Sequence, residues 1–384
     1  MRICVWLERL WPIFFGSSVI VKFYEDRHID AGQVFVIQSV YSYCTVLFDV
    51  PTGHMAMRRG IRFMIIVGSV IQSTRAGVFV ISTEFWQFLL VAVLTALGWS
   101  FVSGTTNAMM TEQLSKEKYE LEFLPARADA QIFGSFIGVP IGAVMVWTGG
   151  TILPFVLQPI TFLAALLLAC KLRERQRVHT RGAHPAWREI KDVTRDMLRT
   201  NAHVRWLVIL GAIMFTSLMS FMWLTQPKLL NLGITPDQLV WLYTAQGSFG
   251  LLIGELQRLW AKRTAKRPKV PQRELQPYEA FAGLILAVGF IGSLAGTSNG
   301  WPGIADRLQN VLLNRILPNK EKRPVQLSVV SAANNLAFAI VGMVMGLTLD
   351  RHEANVALHL VSVCTMWLGG IVLFIAYGTA KSEK

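Results

Sequence analysis

Long apolar stretches alternate with short polar links along nearly the whole chain. Phe85–Thr111 runs for 27 residues without a charged side chain, Trp206–Pro227 for 22, Pro324–Leu349 for 26 and Ala354–Ala380 for 27. Each exceeds the roughly 18–20 residues a helix needs to cross the hydrocarbon core of a bilayer. Ala130–Cys170 is uncharged for 41 residues, room for two spans hinged at Thr148-Gly149-Gly150-Thr151. The pattern predicts an all-α, multi-pass membrane protein. Its spans are expected near 4–24, 31–52, 61–82, 85–110, 128–147, 151–170, 205–226, 236–256, 279–297, 300–317, 325–349 and 354–377.

The links between these twelve spans alternate in character. Glu25-Asp26-Arg27-His28-Ile29-Asp30 is net acidic, whereas Met57–Phe63 is basic. Lys171 to Arg205 carries ten Lys/Arg, Arg258 to Arg273 seven and Arg315 to Arg323 four. Basic links fall on every second loop, so the positive-inside rule places them and both termini in the cytoplasm, at the inner (plasma) membrane. The one long central link divides the chain into a six-span bundle over 1–170, a basic linker over 171–204 and a second six-span bundle over 205–384. Within the linker, Trp187, Ile190, Thr194, Met197 and Leu198 recur near helical spacing. They read as an amphipathic helix on the membrane surface or as an ordinary solvated linker helix.

Composition agrees with this class. Charged residues are 16% of the chain and apolar ones 53%, far from the roughly 25% charge of a soluble domain. The net charge of +13 could point to nucleic acid, but basic residues between spans set topology, and no nucleic-acid partner is expected. The four cysteines show no metal-ligand spacing, so neither a disulfide framework nor a metal site is predicted. The opening MRICVWLERLWPIFF lacks the layout of a cleavable signal, because Glu8 and Arg9 interrupt its apolar stretch.

The stretch FDVPTGHMAMRRGIRF, from Phe48 to Phe63, breaks the greasiest region with three arginines. Gly53, Arg58, Gly60 and Arg62 resemble the span 2–3 loop of the major facilitator superfamily, which reads in general terms Gly-x-x-x-Asp-Arg-x-Gly-Arg-Arg. Met57 stands where that family has Asp, and Ile61 replaces one basic residue. The lead-in Asp49-Val-Pro51-Thr-Gly53 is similar to that of a bacterial subgroup. Phe23-Tyr24-Glu25, Ser103-Gly104-Thr105 and the stretch LNRILPNKEKRPVQLSVVSAANNL after span 10 extend the likeness over nearly the whole chain. The resemblance implies two six-helix bundles related by pseudo-two-fold symmetry. It also implies that the loop, with Asp49, Pro51, Gly53, Arg58, Gly60 and Arg62, acts as a gate latch. Pro51 is expected to end the helix hydrogen bonding, with Asp49 either closing the helix end or meeting an arginine of the loop. No strand or Walker spacing precedes these glycines, so they are not a phosphate loop.

In span 5, Gly134, Gly138, Pro140 and Gly142 approximate the Gly-rich, Pro-containing motif of facilitator exporters. Small residues four apart also serve close helix packing, so both uses stand. Ionisable residues inside spans are functional candidates by default. Arg75 in span 3 could bind an anionic group, pair with an acid or snorkel outward. Glu8 and Arg9 could form a local pair, and Asp306 and Arg307 are the best acid and base of the second half. Gln38, Tyr41, Tyr43, Trp99, Asn107, Trp223, Gln226, Tyr243, Gln246, Asn334 and Asn335 suit a central cavity or interhelical hydrogen bonds.

Two regions are lean: Glu279 to Pro318 must hold spans 9 and 10 in 40 residues, and span 1 is similarly short of apolar length. The leading reading is a secondary active transporter of a small organic solute. It is expected to act as a monomer without a cofactor, exporting its solute in exchange for protons by alternating access. Uptake of a nutrient or chelated metal, and a non-transporting scaffold or sensor, are the alternatives. A membrane enzyme is disfavoured: there is no HExxH and no nucleophile elbow.

Overall fold

The computed structural model describes residues 2–102, 124–172, 202–245 and 323–349, with isolated positions at 191, 194 and 195 and part of 357–375. Among the described residues the regular structure is helical throughout. It comprises α1 (Arg2–Leu10), α2 (Ile20–Glu25), α3 (Ala31–Arg59), α4 (Ile61–Ile81), α5 (Phe85–Val102), α6 (Leu124–Gly149), α7 (Leu153–Cys170), α8 (Ala202–Asn231) and α9 (Arg323–Thr348). Residues 236–245 and the described positions of 357–375 are also helical. Six of these helices are long and apolar enough to cross a membrane. Predicted spans 9 and 10 and the amphipathic linker helix lie essentially outside the described residues.

Two expected elements differ from their prediction. Span 1, expected to be one helix over 4–24, is broken: α1 stops at Leu10, α2 starts at Ile20, and turns fill the residues between. Pro12 lacks an N–H and disfavours helical backbone at Trp11, while Gly16, Ser17 and Ser18 are poor helix formers. Conversely, span 2 does not end near Pro51. Helix α3 carries Pro51 inside it and continues to Arg59, about 43 Å at 1.5 Å per residue. Thr52 Oγ1 donates to the carbonyls of Phe48 and Asp49, at 2.8 and 3.2 Å, in the turn that the proline disturbs. The basic stretch is therefore mostly helix. A single residue, Gly60 at φ 87°, turns the chain into α4, a left-handed conformation that glycine adopts without strain.

The chain divides into two compact units, Met1–Ala183 with Leu232–Ser248, and His184–Asn231 with Phe249–Lys384. In the first, α4 lies between α5 and α7, α3 packs on α5, and α1 packs on α6 and α7. Its interior is layered. One end is aliphatic, with Cys4, Leu7 and Trp11 against Ile65, Val102, Ala165 and Ala169. The other end is aromatic: Phe23 stacks on Phe79 at 4.7 Å between centroids, and Tyr24, Phe88 and Phe155 close around that pair. Arg27 seals this end. Its guanidinium lies 3.5 Å from the Phe23 ring centroid and donates to the carbonyls of Val80 and Ser82 at the C-terminus of α4.

In the second unit α8 packs along α9, with Phe215 meeting Phe338 edge-on. The hydroxyls of Ser217 and Thr365 hydrogen-bond to each other, and Ser220 donates to the sulfur of Met345. Small polar residues thus join these helices where lipid offers no hydrophobic drive for association.

Candidate functional site

Between the aliphatic and aromatic layers of the first unit lies a belt of polar side chains at mid-depth. Gln72 and Arg75 come from α4, between Ile65 and Phe79. Gln158 and Thr161 come from α7, and Thr95 from α5. Gln38, Tyr41 and Thr45 follow one another along α3 at helical spacing.

Gln158 has a specific task. Its Oε1 accepts from the Phe15 N–H at 3.0 Å, and its Nε2 donates to the Ile13 carbonyl at 2.9 Å. Nε2 also donates to Thr161 Oγ1, which holds the amide in this orientation. The break in span 1 is thereby supplied with partners from another helix, as non-helical backbone at membrane depth requires. Helix α6 forms the other wall. A methyl group at Gly134 would overlap the Arg9 carbonyl oxygen, and one at Gly142 the Phe15 carbonyl oxygen. At Gly138 it would lie 2.9 Å from the Phe14 nitrogen. The Gly134–Gly142 motif thus packs closely on this backbone; Pro140 is exposed.

Arg75 points inward. Its guanidinium carbon lies 5.5 Å from the Phe162 ring centroid, and Tyr24 and Tyr41 are within electrostatic reach. Nε is sealed from solvent without a hydrogen-bond partner. Snorkelling outward is therefore not its role. Close by on α4, Gln72 Nε2 donates to the Thr95 carbonyl at 3.2 Å, so this amide stitches α4 to α5. The predicted Glu8–Arg9 pair does not form: the Arg9 guanidinium sits over the rings of Trp6 and Phe133, while Glu8 is buried.

The latch residues are distributed along two helices. Asp49 faces the Ser100 hydroxyl without closing a hydrogen bond of good geometry, and it forms no ion pair among the described residues. Because α3 runs on to Arg59, Asp49 does not close a helix end. Arg62 Nη2 donates to the Cys170 carbonyl at 2.7 Å, capping the C-terminus of α7 with a positive charge. Pro51 is exposed on α3, and Gly53 and Arg58 lie on the same helix; the Arg58 side chain is outside the described residues.

The other cavity candidates divide. Trp223, Gln226 and Asn334 are buried in the second unit, and Tyr243 in the first. Asn335 spends its amide on the Ser331 carbonyl one turn back. Tyr43 is 52% exposed and Trp99 39%. Asn107, Gln246, Asp306 and Arg307 lie outside the described residues. Sequence reasoning missed Gln158, Gln72 and Arg27. For Gln158 a signal existed: it is the one amide in the apolar run Ala130–Cys170 that stands beside a proline, Pro159.

Comparison with known proteins gives this arrangement a family. Two solved structures share the fold. The first is a mutant of the nucleoside transporter NupG, at TM-score 0.72 and 11% identity, covering 98% of each chain. The second is a POT family transporter in complex with 5-aminolevulinic acid, at TM-score 0.73 and 14% identity, covering 98% of this chain and 96% of that one. No curated protein matches the sequence. The model of the Major Facilitator Superfamily matches residues 13–305, three quarters of the chain. The protein is thus a multi-pass membrane transporter rather than an enzyme, and it belongs to the Major Facilitator Superfamily.

Proposed function

We propose that this chain is a secondary active transporter of a small organic solute, working by alternating access and exporting the solute in exchange for protons. The observation that carries the reading is the polar belt at mid-depth of the first unit, centred on Arg75 and Tyr41. Polar and charged groups at that depth are expensive in a lipid-facing helix and mark substrate or ion pathways. Two carboxylates of the described spans, Glu8 and Asp49, are groups able to take up and release a proton; Asp306 remains the candidate of the second half. Export rests on the likeness of the span 5 motif to that of exporters. The latch role of the Asp49–Arg62 stretch and a cytoplasmic placement of both termini belong to the same proposal, the latter resting on the alternation of basic links.

The test is reconstitution of the full chain in liposomes holding a pH-sensitive dye. Solute-dependent proton movement is expected. An inward proton gradient that drives solute outward identifies export, and co-movement in one direction identifies uptake. Absence of solute-dependent flux across a broad solute library would make the chain a scaffold.

A further inference from the structure

The geometry points to an anion subsite at Arg75, so that the transported solute carries a carboxylate or phosphate group; this inference rests on the transporter reading above. Arg75 lies in the α4 segment 62–81, which is apolar enough to span the membrane, six residues before its end. Among the described residues its guanidinium makes neither an ion pair nor a hydrogen bond, and its Nε is sealed from solvent. Among the described residues the guanidinium is compensated by the Phe162 ring at 5.5 Å. A ring face at that distance attracts a cation but satisfies none of its N–H groups. A cation left so in a low-dielectric interior is unfavourable unless a negative group completes it.

The surroundings fit an anion better than a resident acid. Tyr24 and Tyr41 lie within electrostatic reach of Arg75, and their hydroxyls can donate to a carboxylate or phosphate oxygen. They come from α2 and α3. Asp49, the acid on α3, is more than two turns away along that helix and faces Ser100. Asp26 beyond α2 is held by Lys22 at 2.8 Å. A guanidinium fork with two phenols within electrostatic reach suits a planar or tetrahedral oxyanion. The Phe162 ring at 5.5 Å gives the subsite an apolar wall.

The experiment uses the full chain purified in detergent, wild type beside Arg75→Gln and Arg75→Lys, and follows thermal unfolding. The probes are benzoate, succinate and glucose 6-phosphate, each set against its neutral counterpart: benzamide, succinamide and glucose. At least one anion is expected to raise the melting temperature while its neutral counterpart does not. The carboxylate and phosphate arms separate the two chemistries. In Arg75→Gln the apparent affinity for that anion should fall about tenfold or more, since a hydrogen bond to a charged group is lost. Arg75→Lys should retain part of the response. Without ligand, Arg75→Gln should unfold at or above the wild-type temperature, because a half-buried charge without an ion-pair partner has been removed. A fall in that temperature would show a structural ion pair and overturn the inference. So would equal shifts by anions and neutrals, an unchanged response in Arg75→Gln, or no shift from any anion. Solute-driven proton flux that persists in Arg75→Gln liposomes would overturn the anion subsite while leaving the transporter reading intact.

Discussion

At Pro51 helix α3 runs on; at Pro12 the first span comes apart. Both prolines sit in the first unit, and both remove one N–H from an apolar segment. Pro140, Pro159 and Pro227 also lie inside helices that continue past them. A proline is therefore not enough to open a span. The difference lies in what surrounds the freed backbone. Around Pro51, Thr52 returns a hydroxyl to the carbonyls of its own turn. Around Pro12, the partners come from outside: Gln158 serves Phe15 and Ile13, and Gly134, Gly138 and Gly142 let α6 lie directly on the unwound backbone. Gly16 makes room in turn for the Phe155 ring. A broken span at membrane depth is a property of three helices rather than of one.

The most disruptive way to test this difference is to fill the glycine wall. Gly142→Ala places a methyl group on the Phe15 carbonyl oxygen, where no flexible side chain can give way. We expect a loss of about 3 kcal/mol, at the upper end of overpacking effects, read as a lowered melting temperature and yield. The same substitution at Gly77, which has open space around it, is the control and should be neutral or mildly stabilising.

Removing the clasp comes second. Gln158→Leu leaves the Phe15 N–H and the Ile13 carbonyl buried without partners. The expected cost is about 2 kcal/mol or more, given the penalty for unsatisfied buried groups. Amide exchange at Phe15 should accelerate, while exchange within α3 stays unchanged. Unaltered stability and exchange would mean that local sequence alone holds span 1 open.

The smallest effect is expected at the proline itself. Pro12→Ala should shift stability by less than about 1 kcal/mol and should not heal the break, because Gln158 and the glycine wall remain. Spin-label distances across residues 10 and 20 should match the wild type. If they move to helical spacing, Pro12 rather than its surroundings sets the break.

Much of the fold was legible in apolar length alone. The expected spans over 61–82, 128–147, 151–170, 205–226 and 325–349 meet α4, α6, α7, α8 and α9 within a few residues. What one-dimensional pattern cannot supply is the identity of a residue's neighbours. Tyr43 and Tyr41 are two residues apart, yet Tyr41 lies within electrostatic reach of Arg75 and Tyr43 is exposed. Gln158 looked like one polar residue in a run of apolar ones, since its partners stand more than 140 positions earlier. The basic character of Met57–Phe63 was plain, but not that Arg62 would cap α7. Arg75 was visible because a charge inside a span has few structural excuses. Its direction depended on Phe162 and Tyr24, which no local window contains.

The clasp at Gln158 also has a consequence in time. Span 1 leaves the ribosome well before α7, and the side chain that holds it open follows 143 residues after Phe15. Until then the emerging segment has only lipid and itself to satisfy its backbone, and in lipid that means helix. The open form must therefore be drawn out of a helical precursor late in biogenesis, when α6 and α7 arrive. Nascent chains arrested before residue 150 should show cysteine accessibility over 11–19 with a helical period, and chains extended past α7 should lose it.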